Sequence, residues 1–150
     1  MADERDEWYQ RMKSVEREYQ AARFAVDRAL QQINEDHNLL TGDLRVRELE
    51  RASEWLEDTY LLRLFAEFES GLRVFFQRIR HRRGPSRTED LMNSIAAMRS
   101  IQGAQLASAH RVREYRNSLI HERDQPVDPL SIVDARRYLF HYFSFLPLHW

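Results

Sequence analysis

The sequence predicts an all-α protein, an antiparallel bundle of five to six helices that begins with a long helical hairpin. Three observations carry this. Apolar residues recur at three- and four-residue spacing through almost the whole chain, as one helix face after another requires. No stretch shows the two-residue alternation of a half-buried strand. Four Gly and four Pro in 150 residues are too few for a turn-rich β fold or a disordered chain.

Residues 3 to about 37 read as one helix. Trp8, Met12, Val15, Tyr19, Ala22, Val26, Ala29 and Ile33 form a heptad seam, narrow enough to pack along a single partner helix. The seam fits a dimerising coiled coil or an intramolecular hairpin, and the second long helix directly after it favours the hairpin. Asn38 to Asp43 form the turn. Gly42 breaks the helix, and Thr41 or Asp43 can cap the next one. That second helix runs from about residue 44 to 80, with a kink expected near Asp58 and Thr59. In its second half Leu61, Leu64, Phe65, Phe68, Leu72, Phe75, Phe76 and Ile79 fall within an arc about 120° wide, which makes it the central core helix. Arg82-Arg83-Gly84-Pro85-Ser86 ends it. Ser86 and Glu89 have capping-box spacing ahead of a helix from about 87 to 98, with Leu91, Ile95 and Met98 inward. A break near Ser100 to Gly103 precedes a helix from about 104 to 121. A loop containing Gln125, Pro126 and Pro129 follows, then a last helix from about 130 to 145. That helix is capped by Ser131 and Asp134 and carries Ile132, Val133, Leu139, Phe140 and Phe143. The apolar tail, Leu146 to Trp150, is expected to pack back on the bundle.

Composition bounds the function. Residues 1–150 have the size of one domain, and 43% hydrophobic residues suffice for one core. Cys is absent, which excludes disulfides, thiolate metal sites and Cys nucleophiles. No apolar run approaches a membrane span, and Met1 to Glu7 do not resemble a signal peptide, so a cytoplasmic protein with no membrane partner is expected. The net charge of −1 is uninformative, but its basic part is lopsided: Lys13 is the only lysine among 23 basic residues. Arg78, Arg80, Arg82, Arg83 and Arg87, with His81 among them, form a basic run.

The chemistry concentrates in Val112-Arg113-Glu114-Tyr115-Arg116-Asn117-Ser118-Leu119-Ile120-His121. Arg116 is followed at once by Asn117, and His121 comes five residues after Arg116. In so arginine-rich a chain the bare Arg-to-His spacing recurs, and Arg136 with His141 is a second match. Context separates the two. Arg116 has a polar follower and ends an amphipathic helix before a loop; Arg136 is followed by Arg137 and lies among Tyr138, Leu139, Phe140 and Tyr142.

Arg116-Asn117 with His121 in this setting resembles the signature of the HEPN superfamily of small all-helical domains, in particular its RiboL-PSP/MAE-like bacterial ribonucleases. Phe68-Glu69-Ser70-Gly71-Leu72-Arg73 is similar to the family's core-helix segment with its acidic residue. Pro129-Leu130-Ser131 opening a final helix that closes at Leu146-Pro147 is similar to the tail of bacterial members. The resemblance runs from about residue 59 to 147. It implies a metal-independent endoribonuclease without a cofactor, a toxin or phage-defence effector that cuts single-stranded RNA. The site would comprise Arg116, Asn117, His121 and, in support, Glu69. The family also implies a homodimer with a shared active site, and a possible antitoxin or defence-system partner protein. Some family toxins carry a modifiable Tyr two residues after the His; here that position is Arg123.

The residues fit such chemistry. His121 can exchange a proton near neutral pH. Arg116 can place two donors on phosphoryl oxygens, and Asn117 can donate to the phosphate or orient His121. On one regular helix Asn117, Glu114 and His110 lie within about 40° of His121, whereas Arg116 lies about 140° away. Convergence therefore requires that His121 sit where the helix frays, or that two chains share the site across a two-fold axis. Val112, Tyr115 and Leu119 make the buried stripe opposite. His110, Glu114 and His121 form a faint candidate metal set. Glu69 borders the aromatic arc, while Glu67 is expected on a solvated face. Two alternatives stand beside the nuclease: a HEPN-like module without catalysis that binds a partner protein or a nucleotide, and a plain helical dimer built on the heptad seam.

Overall fold

The computed structural model describes residues 4–121 and 127–150. The expectations for residues 1–3, Arg123, Gln125 and Pro126 lie outside them. Among the described residues five α-helices follow in order: α1 (Glu4–Glu35), α2 (Val46–Arg80), α3 (Thr88–Arg99), α4 (Gly103–Ile120) and α5 (Ile132–Phe143). No strand occurs among the described residues.

The heptad seam is used inside the chain. α1 packs along α2, burying Trp8, Met12, Val15 and Ile33. Between them the hairpin is tied by polar contacts: Arg23 donates to the Ser53 carbonyl and hydroxyl, and Arg63 reaches Glu18 at 2.6 Å. The turn contains a short 3-10 segment, His37–Leu39, whose Asp36 side chain accepts from the Asn38 N–H at 3.0 Å. Gly42 sits at φ +69, a left-handed position that suits glycine. Neither Thr41 nor Asp43 caps α2. The N-cap is Arg45, and Glu48 reaches back to the Arg45 N–H at 2.7 Å, one arm of a capping box.

α2 is the axis of the bundle, with α1, α3, α4 and α5 all packed against it. Leu61, Leu64, Phe65, Phe68, Leu72, Phe75 and Phe76 are buried as the arc predicts. Ile79, in the last turn of α2, is the exception at 44% exposed. Phe68 packs edge-on against Tyr142, with ring centres 5.4 Å apart. The Tyr142 hydroxyl is satisfied by the Met92 carbonyl at 2.6 Å. Full burial of each such large side chain contributes about 1.5–3 kcal/mol. The tail folds back as expected: Leu146 is buried, and Trp150 meets Phe75 and Phe143 edge-on.

Two smaller expectations change. The N-cap of α3 is Arg87, not Ser86, and Glu89 is spent on ion pairs instead of a capping box. Val133 is 52% exposed, so the apolar face of α5 is narrower than its sequence suggests.

Candidate active site

The motif helix is α4. Its inward stripe, Ala109, Val112 and Tyr115, is buried, and Leu119 is partly so. Tyr115 anchors it: the phenol donates to Asp58 Oδ1 of α2 at 2.7 Å. Burial first, and that bond second, push the Tyr115 pKa well above the ordinary phenol value. The adjacent Glu57 accepts from the Ile132 N–H at 2.9 Å and seats the start of α5, where Ser131 also caps the Asp134 N–H. α2 runs as one unbroken helix through Asp58 and Thr59, where a kink was expected, and its half-buried carboxylates Glu57 and Asp58 hold α5 and α4.

Arg116 lies 5.6 Å over the Phe65 ring, and its Nη1 donates to Asn117 Oδ1 at 2.9 Å. No carboxylate pairs with it among the described residues. The Asn117 amide oxygen is thus spent on Arg116, which leaves its NH2 for other acceptors. Asn117 borders a cleft of about 200 Å³ formed with Arg87, Thr88, Glu89 and Arg113. The Asn117 carbonyl accepts from the His121 N–H at 3.0 Å, and there the helix stops. His121 is the C-cap, in extended conformation (φ −115, ψ 132), and is exposed. The angular separation of a regular helix therefore no longer constrains its ring. The structure brings Arg116 and Asn117 together; no hydrogen bond joins the His121 ring to either among the described residues.

The rest of the polar stripe is committed to α3. Arg113 Nε donates to His110 Nδ1 at 3.0 Å, and His110 Nε2 lies 2.8 Å from Asn93 Oδ1. A guanidinium only donates, so Nδ1 is the acceptor and the ring proton sits on Nε2, directed at Asn93. Burial, then the Arg113 charge, holds the His110 pKa below its ordinary value. This neutral histidine has no nitrogen left for a metal. No group of three His, Asp or Glu that could hold an ion occurs among the described residues.

Glu69 is bound into the corner between α2 and α3. Its Oε1 accepts from Arg73 Nε and Nη2 at 3.1 and 2.8 Å, and from the Thr88 hydroxyl at 3.0 Å. Arg73 in turn donates to the Pro85 and Ser86 carbonyls. The pair clamps the α2–α3 loop. Glu69 reaches the cleft beside Asn117 only through Thr88, so it positions the wall of the site and does not face Arg116. Glu67, expected on a solvated face, is partly buried.

The second Arg-to-His match is built otherwise. Arg136 is ion-paired with Glu16 of α1 and stacked on Phe140. His141 is exposed at the edge of a separate cleft with Tyr9 and Lys13.

Sequence reasoning missed Phe65 as the platform for Arg116, Asp58 as the anchor of Tyr115, and Thr88 and Arg113 as cleft walls. Local helical spacing signals Arg113, three residues after His110, and likewise the Glu69–Arg73 pair, four residues apart. No protein-family model, curated protein or solved structure matches this chain. No helix among the described residues is long and apolar enough to cross a membrane.

Proposed function

We propose that the protein is a metal-independent endoribonuclease that cuts single-stranded RNA, acting as a toxin or phage-defence effector in the cytoplasm. The observation that carries this reading is the state of Arg116. Its guanidinium is held on Phe65 and tied to Asn117, yet no carboxylate neutralises it among the described residues. A structural arginine is usually paired, as Arg136 is with Glu16. A fixed, uncompensated cation beside an amide suits a phosphate. His121, exposed at the helix end, supplies the proton chemistry.

In this mechanism a base removes the 2′-OH proton, the 2′-oxygen attacks the adjacent phosphorus, and the 5′-oxygen leaves as it takes up a proton. The products are a 2′,3′-cyclic phosphate and a 5′-OH. Arg116 stabilises charge on the phosphoryl oxygens in the transition state. The Asn117 NH2 donates to the phosphate or to His121. His121 serves as base or acid, one of the two proton transfers falling to the second motif of a homodimer. An antitoxin or defence-system partner would then control the exposed site.

The test is incubation with single-stranded RNA in EDTA, followed by end-group analysis, for wild type and His121→Ala. Cyclic-phosphate ends from the wild type alone support the reading. Full activity in His121→Ala removes the mechanism and leaves a HEPN-like module that binds a partner protein or nucleotide.

A further inference from the structure

The arginine run after α2 occupies the corner between α2 and α3. His81, at φ 52, ends the helix in the left-handed region, and the chain turns out there to expose Arg82 and Arg83. Three clefts lie along this corner. The first, of about 520 Å³, is lined by Val74, Gln77, Arg78, His81 and Arg82. The second, of about 350 Å³, shares Gln77 as a wall and adds Arg73, Arg83 and Ser86. The third begins one residue further on, at Arg87, and is the cleft that Asn117 borders.

Charge along the corner is unevenly compensated. Arg73 is neutralised by Glu69, Arg87 and Arg113 share Glu89, and Arg78 has Glu4 at 3.6 Å. Arg80, Arg82 and Arg83 have no carboxylate partner among the described residues. A helix dipole explains only part of this. Arg78 and Arg80 lie in the last turn, where cations offset the partial negative charge of the carbonyls. Arg82 and Arg83 lie beyond the left-handed residue and gain little from it. They are solvated, unpaired cations on the walls of two adjoining clefts.

We infer that the α2–α3 corner is a phosphate-tracking surface that leads single-stranded RNA into the cleft beside Asn117. The inference rests on the ribonuclease reading for the identity of the polyanion. Its contacts are to the backbone, so it sets affinity and direction and carries no base sequence. Arginine suits it, since its planar fork matches phosphate oxygens.

The test measures binding of a 2′-O-methylated single-stranded RNA, which lacks the attacking hydroxyl, to wild type, Arg82→Gln/Arg83→Gln and Arg28→Gln/Arg47→Gln. The last pair removes the same charge from exposed, unpaired arginines at the far end of the hairpin. Each phosphate contact contributes about 0.7 to the slope of log affinity against log salt, so the corner double variant should lose about 1.4. With the difference vanishing near 1 M salt, that is roughly 25-fold weaker binding at 0.1 M. The control pair should stay within about three-fold of wild type, a small rim-charge effect, and circular dichroism should show all three equally folded. Equal weakening by both pairs overturns the inference, as does wild-type affinity in the corner variant or no binding by wild type. A parallel cleavage assay on unmodified RNA separates the two readings. Wild-type cleavage with an unaffected corner variant removes the tracking surface and keeps the nuclease. A corner-specific binding loss without wild-type cleavage keeps the surface and removes the nuclease.

Discussion

Replacing Arg116 by alanine, methionine and lysine separates its charge from its packing. Arg116 covers the ring of Phe65, which is otherwise fully buried. Alanine removes the cation–π contact, about 0.5–1 kcal/mol, and uncovers one ring face. The combined loss should be about 1–2 kcal/mol, or about 3–8 °C in melting temperature for a chain of this size. Methionine keeps an apolar stem over the ring and should lose less than about 1 kcal/mol. Both remove the charge, and loss of one preorganised donor to a developing oxyanion typically costs about 10²–10³-fold in rate. Lysine keeps the charge but loses the paired donors, and should fall between. His121→Ala is the companion. It is an exposed cap, so stability should hold within about 0.5 kcal/mol, while cleavage falls about 10²–10⁴-fold with RNA affinity nearly unchanged. Asn117→Ala removes the acceptor that fixes Arg116 and should lie between the two in rate. The assay is cleavage in EDTA beside thermal melting, with affinity at fixed salt. If Arg116→Met cleaves within a few-fold of wild type while Arg116→Ala fails only through melting, Arg116 is a packing residue and the proposed mechanism is wrong.

Other outcomes follow from the same geometry. Glu69→Gln should cost about 1 kcal/mol, because charge-assisted bonds to partly exposed Arg73 become neutral ones; cleavage per folded molecule should stay within a few-fold. The effect should still exceed that of Glu67→Gln, and a large rate loss at unchanged melting would put Glu69 on the substrate. Gly71→Ala should destabilise by about 1–3 kcal/mol in urea titration despite better helix propensity. Its new Cβ would meet the Phe143 and Trp8 rings at 3.0 Å. Tyr115 and Tyr142 both have phenol pKa values raised above 10.0, so their stabilisation is full below that pH and is lost as pH rises beyond it. Alkaline unfolding should therefore be delayed in Tyr142→Phe once its lower starting stability is subtracted. His141→Ala should leave cleavage within a few-fold, whereas Arg136→Ala should cost about 1–3 kcal/mol by stranding the mostly buried Glu16.

Local information in the sequence determined the helices, because the spacing of apolar residues depends only on the 3.6-residue turn. It marked the seam of α1, the arc of α2 and the inward stripe of α4. It also marked Arg116, Asn117 and His121, since adjacency and helix position are visible in one dimension. It could not decide what lies against each face. The seam served a hairpin because α2, from the same chain, reaches it first. Ile79 and Val133 carry the right period but stay exposed where no neighbouring element covers them. The cap of α5, Ser131, is as its sequence suggests, whereas those of α2 and α3 differ, because several polar residues compete for the same N–H groups and the loop path selects among them. The segment around Glu69 marks it as a support of the site, and the fold alone sets Arg73 and Thr88 around it. What distinguishes Arg116 from Arg136 is likewise tertiary. Phe65 and Glu16 are distant in sequence, and whether a guanidinium meets a ring or a carboxylate is settled only when those distant residues come within a few ångströms.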